Sequence, residues 1–197
     1  GKKLVIVKTE WDGLVPAVQS GKIDAIIAGM SPTAERKESI DFTDVYYTSD
    51  LVMVVKKGGK YENATKLSDF KGATITGQLN TFHYTVIDQI DGVKKDTAMD
   101  NFPAMRVALE SGKIDGYVSE RPEGVSATSA NKNFAMVEFK EGQGFKTSDE
   151  DTAIAVGLKK DSDLKDKINK ILAGISEDER KDLMDQAIKD QPASEDN

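Results

Sequence analysis

The stretch Ser20-Gly21-Lys22-Ile23-Asp24 occurs a second time, letter for letter, at residues 111–115. Before each copy, apolar residues are spaced as in the last turns of a helix, and each glycine stands where a left-handed C-terminal cap is expected. After each copy comes a short apolar run, at residues 25–28 and 116–118, which predicts a buried parallel strand. A helix, glycine and strand used twice predict two α/β lobes built on one plan, because two copies are too few for a solenoid.

The residues that follow these two strands are the first candidates for a binding site. Ligands of open α/β sheets bind outside the carboxyl ends of the strands. The candidate positions are therefore Gly29-Met30-Ser31 after the first strand and Ser119-Glu120 after the second.

The composition excludes several classes of protein. The 197 residues are 38% hydrophobic and 31% charged, as expected for a globular protein, and no apolar run reaches the length of a membrane span. The chain has no cysteine, so disulfides, thiol catalysis and cysteine metal sites are excluded. The net charge is −7 with dispersed basic residues, which argues against a nucleic-acid groove. No metal-loop spacing and no glycine-rich phosphate loop is present, so we expect no metal, no cofactor and no catalytic residue.

Local patterns predict the remaining order of elements. Strands are predicted at residues 3–8, 46–56, 73–76, 134–139 and 152–158. Helices are predicted to begin at residue 11 and after a cap at Ser31, with Pro32 in the first turn of the second helix. Further helices are predicted from residue 82 to about 90 and at 102–110. Two more are predicted near the C-terminus, and the last of them begins with a capping box at 176–179. We expect lobe 1 to comprise residues 1–47 and 148–197 and lobe 2 residues 51–144, with hinge segments at 46–51 and 144–151.

Several motifs in this order resemble one family. They are Trp11-Asp12-Gly13 through Asp24, then residues 28–33, Glu35-Arg36-Lys37 and Asp41-Phe42-Thr43, and, further along, residues 77–81 and 112–120. The chain resembles the amino-acid-binding proteins of bacterial ABC importers, the polar-amino-acid branch (family 3) of solute-binding proteins with the periplasmic binding protein fold. The likeness covers nearly the whole chain, and its first block is highly specific.

The resemblance implies a fold, a function and partners. The expected fold is the type II two-lobed α/β fold, with two parallel or mixed sheets flanked by helices and joined by two hinge segments. The expected function is that of a receptor that clamps a free amino acid between two lobes and delivers it to a membrane permease. We expect an extracytoplasmic protein, monomeric when intact, with an export signal or lipid anchor or a fusion to a membrane component. In the family a strand, a loop with ligand contacts and a helix precede the strand expected at residues 3–8, so we expect either a truncated chain or another source for that piece.

For the first lobe, the resemblance implies how the ligand is held. Arg36 corresponds to the arginine that holds the ligand carboxylate, and its alternative is a surface helix arginine. Ser31 is expected to add hydrogen-bond donors for the carboxylate, and its alternative is a helix cap with no other role. The Gly29 carbonyl is expected to accept from the ligand ammonium, and Met30 lies in the same candidate turn. Trp11 corresponds to an aromatic residue that packs on the ligand, and its alternative is a partly buried core tryptophan.

For the second lobe, Thr81 and Phe82 are implied to grip the carboxylate at a helix start. Gln78 is expected to bond the ligand or the facing lobe, or else to be an ordinary turn residue. Glu120 stands where the family has an aspartate for the ligand ammonium, so the charge is kept and one methylene is added. His83 is interpreted as a polar helix residue near the cleft rather than an acid, base or metal ligand.

Two other functions share this scaffold. A dehydratase-like enzyme would use Glu120 as a general acid, but no nucleophile or acid–base pair supports it. A sensor domain of a signalling receptor would share every site residue. Trp11 and two carboxylates favour arginine or lysine as the ligand, and Gln78 with Ser119 equally favours glutamine.

Overall fold

A computed structural model describes residues 2–190. The described chain divides into two compact units, residues 2–48 with 149–177 and residues 49–148 with 178–190. The last helix groups with the second unit from residue 178 onward, and the expected lobe boundaries stay a prediction. The assignment of the hinge segments stays a prediction.

The described chain contains helices and mostly short strands, which follow one another without strict alternation. The helices are α1 (Leu14–Gln19), α2 (Ala34–Ser39), α3 (Phe82–Thr85), α4 (Phe102–Ser111), α5 (Arg121–Ala130), α6 (Asp149–Thr152), α7 (Leu164–Leu172) and α8 (Glu177–Lys189). Single 3₁₀ turns lie at Trp11–Gly13, Leu67–Phe70 and Val86–Gln89. The strands are β1 (Ala25–Ile26), β2 (Asp41–Phe42), β3 (Tyr47–Thr48), β4 (Leu51–Lys56), β5 (Thr74–Thr76), β6 (Lys94–Lys95), β7 (Gly116–Glu120), β8 (Phe134–Val137), β9 (Ala153–Ile154) and β10 (Gly157–Leu158).

The two copies of the repeated stretch end their helices in the same way. Gly21 and Gly112 have φ angles of 76° and 79°, the left-handed conformation that glycine adopts without a Cβ penalty. The N–H of the lysine after each glycine donates to the carbonyl five residues earlier, Ala17 at 2.9 Å in the first copy and Ala108 at 3.0 Å in the second. The predicted caps are therefore confirmed, and each unit contains one copy.

The first unit is built on a small antiparallel sheet with the order β1-β10-β2, accompanied by the pair β3-β9. The prediction of a parallel strand at residues 25–28 is wrong, because β1 pairs antiparallel with β10 and ends at Ile26. Ile27, the next residue, is 68% exposed. The core of this unit lies under α1 and consists of Leu14, Val18, Ile26, Met30, Ile40, Phe42 and Ala155.

Residues 3–8 do not form the predicted strand. They have no regular secondary structure and pair with no strand among residues 2–190. Their apolar side chains are exposed, from 49% for Val7 to 88% for Ile6. The alternating sequence favours a strand, but a strand also requires a partner for its backbone N–H and C=O groups, and none of the described strands supplies one.

Two strands predicted as long are each divided. Within residues 46–56, β3 pairs with β9 while β4 pairs with β7 and β8. Within residues 152–158, β9 pairs with β3 while β10 pairs with β1 and β2. Each half therefore belongs to a separate ladder, and the sequence pattern alone carries no signal for the change of partner.

The second unit is built on a five-stranded sheet with the order β6-β5-β7-β4-β8. β7 pairs parallel with β5 and antiparallel with β4, so the second copy of the repeat does lead into a buried central strand. Alternate residues of β4 face two separate cores: Met53 and Val55 pack with Phe70 and Ile87 on one side, and Val54 packs with Met105, Leu109 and Tyr117 on the other. Helices α4 and α5 cover this second core and fix the end of β7, where Glu120 lies.

Candidate functional site

The first unit brings Trp11, Ser31 and Arg36 together. Arg36 lies on α2, and its Cζ atom is 5.4 Å from the centroid of the Trp11 ring, in cation–π range. One guanidinium nitrogen of Arg36 donates to the Ser31 carbonyl at 3.0 Å. The 3₁₀ turn at Trp11–Gly13 presents the ring, which is half-buried against the core of the first unit. The guanidinium therefore has a defined orientation set by a ring and a carbonyl.

The start of α2 differs from the prediction. Thr33, not Ser31, is the N-cap, and its hydroxyl accepts a hydrogen bond from the Arg36 N–H at 3.4 Å. Pro32 consequently precedes the helix. The Ser31 hydroxyl donates instead to the Asp151 carbonyl at 2.7 Å, and Ser31 is only 2% exposed. The expected cap is wrong because a carbonyl distant in the sequence satisfies the hydroxyl.

Gly29 and Met30 form the turn that leads from β1 towards Ser31. Gly29 has a φ angle of 66°, which favours glycine at this position. The Met30 side chain is 1% exposed and packs in the core of the first unit, while its carbonyl accepts from the Ala155 N–H at 3.1 Å. Met30 thus anchors the turn, and a ligand contact by the Gly29 carbonyl stays a prediction.

In the second unit, Gln78, Thr81 and Phe82 form the turn between β5 and α3. The Gln78 side-chain amide is buried and donates to the Asp100 carbonyl at 3.1 Å. The Thr81 hydroxyl donates to the Gln78 carbonyl at 2.8 Å and makes no cap bond to α3. These bonds stabilise the turn itself, which matches the alternative that the sequence left open for Gln78, while the roles of all three residues in binding stay predictions.

Glu120 ends β7 and is the N-cap residue of α5. Its side chain is 14% exposed, and Oε1 lies 3.4 Å from Nε2 of His83. The His83 side chain is 8% exposed, and its ring contacts Phe82 at a centroid distance of 4.7 Å. His83 lies on α3 as predicted, its placement near the cleft stays a prediction, and its side chain is buried. Its burial depends on Glu120 and Phe102, which come from other segments and give no signal near residue 83.

A buried polar network lies one turn further along α5. The Arg106 guanidinium donates to both oxygens of Glu123, from Nε at 3.2 Å and from Nη2 at 2.5 Å, and the Tyr117 hydroxyl donates to Glu123 at 3.0 Å. Burial raises the pKa of Glu123, and the hydrogen bonds and charge of Arg106 oppose that rise. Burial and then the Glu123 charge raise the pKa of Tyr117 well above its ordinary value. This network joins α4, β7 and α5, and no local pattern in the sequence indicates it.

Two kinds of feature are not found among residues 2–190. No three or more His, Asp or Glu side chains in this part of the chain are grouped so that they could hold a metal ion. No helix within the same residues combines the length and the apolar character that crossing a membrane requires.

Comparison with known proteins places these observations in a family. Residues 1–189 match the model of the bacterial extracellular solute-binding proteins, family 3. A probable histidine-binding protein of Campylobacter jejuni is 37% identical over 137 residues, which cover 64% of this chain and 52% of that protein. The ABC transporter glutamine-binding protein of Bacillus subtilis is 31% identical over 180 residues, covering 91% and 63%.

A solved structure supports the same family assignment. An amino acid ABC transporter substrate-binding protein from Streptococcus pneumoniae, bound to L-arginine, has a TM-score of 0.82 and 29% identity, covering 95% of this chain and 76% of that one. The predicted type II periplasmic binding protein fold is thereby confirmed. The two relatives are named as binding proteins and not as enzymes, and the chain spans about half to two thirds of their length. The chain belongs to family 3 of the bacterial extracellular solute-binding proteins.

Proposed function

We propose that this chain is the amino-acid-binding receptor of an ABC-type uptake system. Its ligand is a free polar or cationic L-amino acid, with arginine, lysine and glutamine as the preferred candidates. The receptor works outside the cytoplasm, where it delivers the amino acid to a membrane permease. The observation that carries the proposal is the family match over residues 1–189. The names of the reported relatives support the ligand class, since they bind histidine, glutamine and arginine.

Arg36 is the proposed partner of the ligand carboxylate. A guanidinium presents five N–H donors in one plane and bonds a carboxylate in a bidentate manner. The contacts with the Trp11 ring at 5.4 Å and the Ser31 carbonyl at 3.0 Å limit the rotation of this side chain before a ligand arrives. Less conformational entropy is therefore lost on binding, which increases affinity.

Glu120 is the proposed acceptor for the ligand ammonium. Its side chain is 14% exposed, so its carboxylate is largely withdrawn from water. A positively charged group brought to such a place requires a compensating charge. Glu120 supplies that charge, and the Gly29 carbonyl of the first unit, together with Thr81 and Phe82 of the second, completes the predicted contacts. In this proposal Arg36, with Thr81 and Phe82, binds the ligand carboxylate, and Glu120, with the Gly29 carbonyl, binds its ammonium.

Trp11 is the proposed contact for the ligand side chain. Its ring already lies against one guanidinium, that of Arg36, and an indole is the best aromatic partner for a cation. This contact favours arginine and lysine as ligands. Gln78 and Ser119 equally favour glutamine.

A thermal-shift screen of the twenty L-amino acids on this chain tests the proposal. A ligand at 100 times its Kd adds about 2.7 kcal/mol to the stability of the folded state, which corresponds to a rise in Tm of about 5–10 °C for a chain of this size. Arginine amide, which lacks the carboxylate, and N-acetyl-arginine, which lacks the ammonium, serve as matched controls and should give no rise. A folded chain, judged by circular dichroism, whose Tm responds to none of the twenty amino acids refutes the proposed function.

A further inference from the structure

The only histidine of the chain occupies an unusual position. The His83 side chain is more than nine-tenths buried, and neither of its ring nitrogens has a hydrogen-bond partner within the described residues. Its ring lies between the rings of Phe82, at 4.7 Å, and Phe102, at 6.4 Å. Burying a polar group without a hydrogen bond is costly, so an imidazole in this state invites a functional explanation.

Glu120 is the acidic group within ion-pair distance of this imidazole. Oε1 of Glu120 lies 3.4 Å from Nε2 of His83, and both side chains are largely shielded from water. A charge interaction is stronger at such a place than at the surface because little water screens it. The protonation state of His83 therefore acts directly on the carboxylate that is proposed to bind the ligand ammonium.

The backbone holds this pair in a fixed geometry. A Cβ atom added to Gly77 would lie 2.7 Å from the His83 carbonyl oxygen, so the start of α3 packs tightly against the end of β5. Glu120 is fixed in turn by the ladder of β7, in which it lies opposite Leu51. The contact therefore joins two well-supported backbone positions.

The other charged groups near this pair are engaged elsewhere. On α4, beyond Phe102, Arg106 bonds to Glu123, which also accepts from the Tyr117 hydroxyl. Next to His83 in the chain, the Tyr84 ring lies under the Lys95 ammonium, which forms an ion pair with Asp88 at 2.9 Å. Arg121, next to Glu120 in the chain, pairs with Glu138 at 2.8 Å, so among the described residues Glu120 is the carboxylate within ion-pair distance of His83.

We propose that His83 is a positioning residue that competes with the ligand ammonium for Glu120 and so makes amino-acid binding dependent on pH. This inference rests on the proposed function of Glu120. When His83 is neutral, the carboxylate keeps its full charge for the ligand. When His83 takes a proton, the imidazolium pairs with Glu120 and the ligand must displace it. Affinity therefore falls as the pH falls through the protonation of His83, and ligand binding in turn disfavours that protonation.

An NMR titration of the single imidazole tests the pairing without any ligand. An opposite charge at this distance stabilises the imidazolium, so Glu120→Gln should move the midpoint of the His83 signal to lower pH. Glu138→Gln is the matched control, because Glu138 is half exposed and pairs with Arg121 instead, and its midpoint should equal that of the original chain. Midpoints that agree within about 0.2 units in all three proteins overturn the inference, whatever the chain binds.

Calorimetry with L-arginine and L-glutamine at several pH values tests the consequence. From above to below the imidazole midpoint, the affinity of the original chain should fall at least about fivefold in total, since coupling free energies of this kind correspond to about 5–150-fold in affinity. In His83→Gln the same pH series should change affinity by less than about twofold. An equally steep profile in His83→Gln, or a flat profile in the original chain, overturns the inference. Absence of binding at every pH refutes the proposed function instead, and the NMR titration still decides the pairing.

Discussion

Replacing Arg106 by Met should destabilise the second unit strongly, although Arg106 lies outside the proposed binding contacts. The substitution keeps most of the aliphatic stem and removes the guanidinium that bonds both oxygens of Glu123. Removing one partner of a buried ion pair costs about 3–5 kcal/mol, since the other charge stays buried and unpaired. Side-chain exposures of 20% for Arg106 and 13% for Glu123 allow some contact with water. We therefore expect the lower end, about 3 kcal/mol at pH 7, or a fall in Tm of about 6–12 °C.

The stability lost in Arg106→Met should also depend on pH. Burial raises the pKa of Glu123, and Arg106 opposes that rise, so Arg106→Met raises the pKa of Glu123 further. Between its ordinary value and this raised value, the folded chain binds more protons than the unfolded chain, and stability therefore falls as the pH rises. The difference between Arg106→Met and the original chain should accordingly be larger at pH 8 than at pH 5.

Urea unfolding followed by circular dichroism measures this difference, and hydrogen exchange within residues 102–130 assigns it to the second unit. Arg121→Met is the matched control, because its ion pair with Glu138 is about half exposed on both sides. Exposed pairs contribute little, so the control should lose less than about 0.5 kcal/mol. An Arg106→Met variant as stable as this control, or one whose loss is the same at pH 5 and pH 8, refutes the reasoning.

Three further substitutions test the candidate site and its support. Arg36→Ala should raise the Kd of the amino acid at least about 30-fold, because a charged hydrogen-bonded partner is worth about 2–5 kcal/mol, while Lys37→Ala on the same helix should change it less than about threefold in calorimetry. Glu120→Gln should abolish binding of the free amino acid with an unchanged circular dichroism spectrum, and retained binding would move the ammonium to another acceptor. Gly77→Ala should cost about 1–3 kcal/mol in chemical unfolding, because its Cβ would meet the His83 carbonyl oxygen at 2.7 Å; unchanged stability would show that α3 adjusts freely.

Features that depend on neighbouring residues could be predicted from the sequence. The two helix ends at Gly21 and Gly112 follow from a local rule, since a left-handed cap needs glycine and its hydrogen bonds close within a few residues. The grouping of Trp11, Ser31 and Arg36 follows from no local rule, because several elements lie between residues 11 and 36; the family resemblance implied it. The family resemblance added the roles of these residues, which no local rule contains.

Features that depend on distant residues could not be predicted. Residues 3–8 have the pattern of a strand, but a strand exists only where a partner satisfies its backbone. Ser31 has the side chain of an N-cap, yet its hydroxyl bonds to the carbonyl of Asp151, 120 positions away. The burial of His83 is set by Phe102 and Glu120, which the fold brings to it from other elements. In each case a segment distant in the sequence decides whether the strand, the cap or the exposed side chain forms.

Glu120 and Glu123 illustrate how such neighbours give the same side chain two roles on one helix. Both are glutamates near the start of α5, and both are largely buried. Glu123 is bonded by Arg106 and Tyr117, so its charge is compensated within the protein and its contribution is structural. Oε1 of Glu120 lies 3.4 Å from Nε2 of His83, and Glu120 forms no ion pair with a lysine or arginine among residues 2–190. The Glu120 carboxylate is therefore not neutralised by a fixed cation in this part of the chain, which supports the assignment of the ligand ammonium to Glu120 that the family resemblance implies.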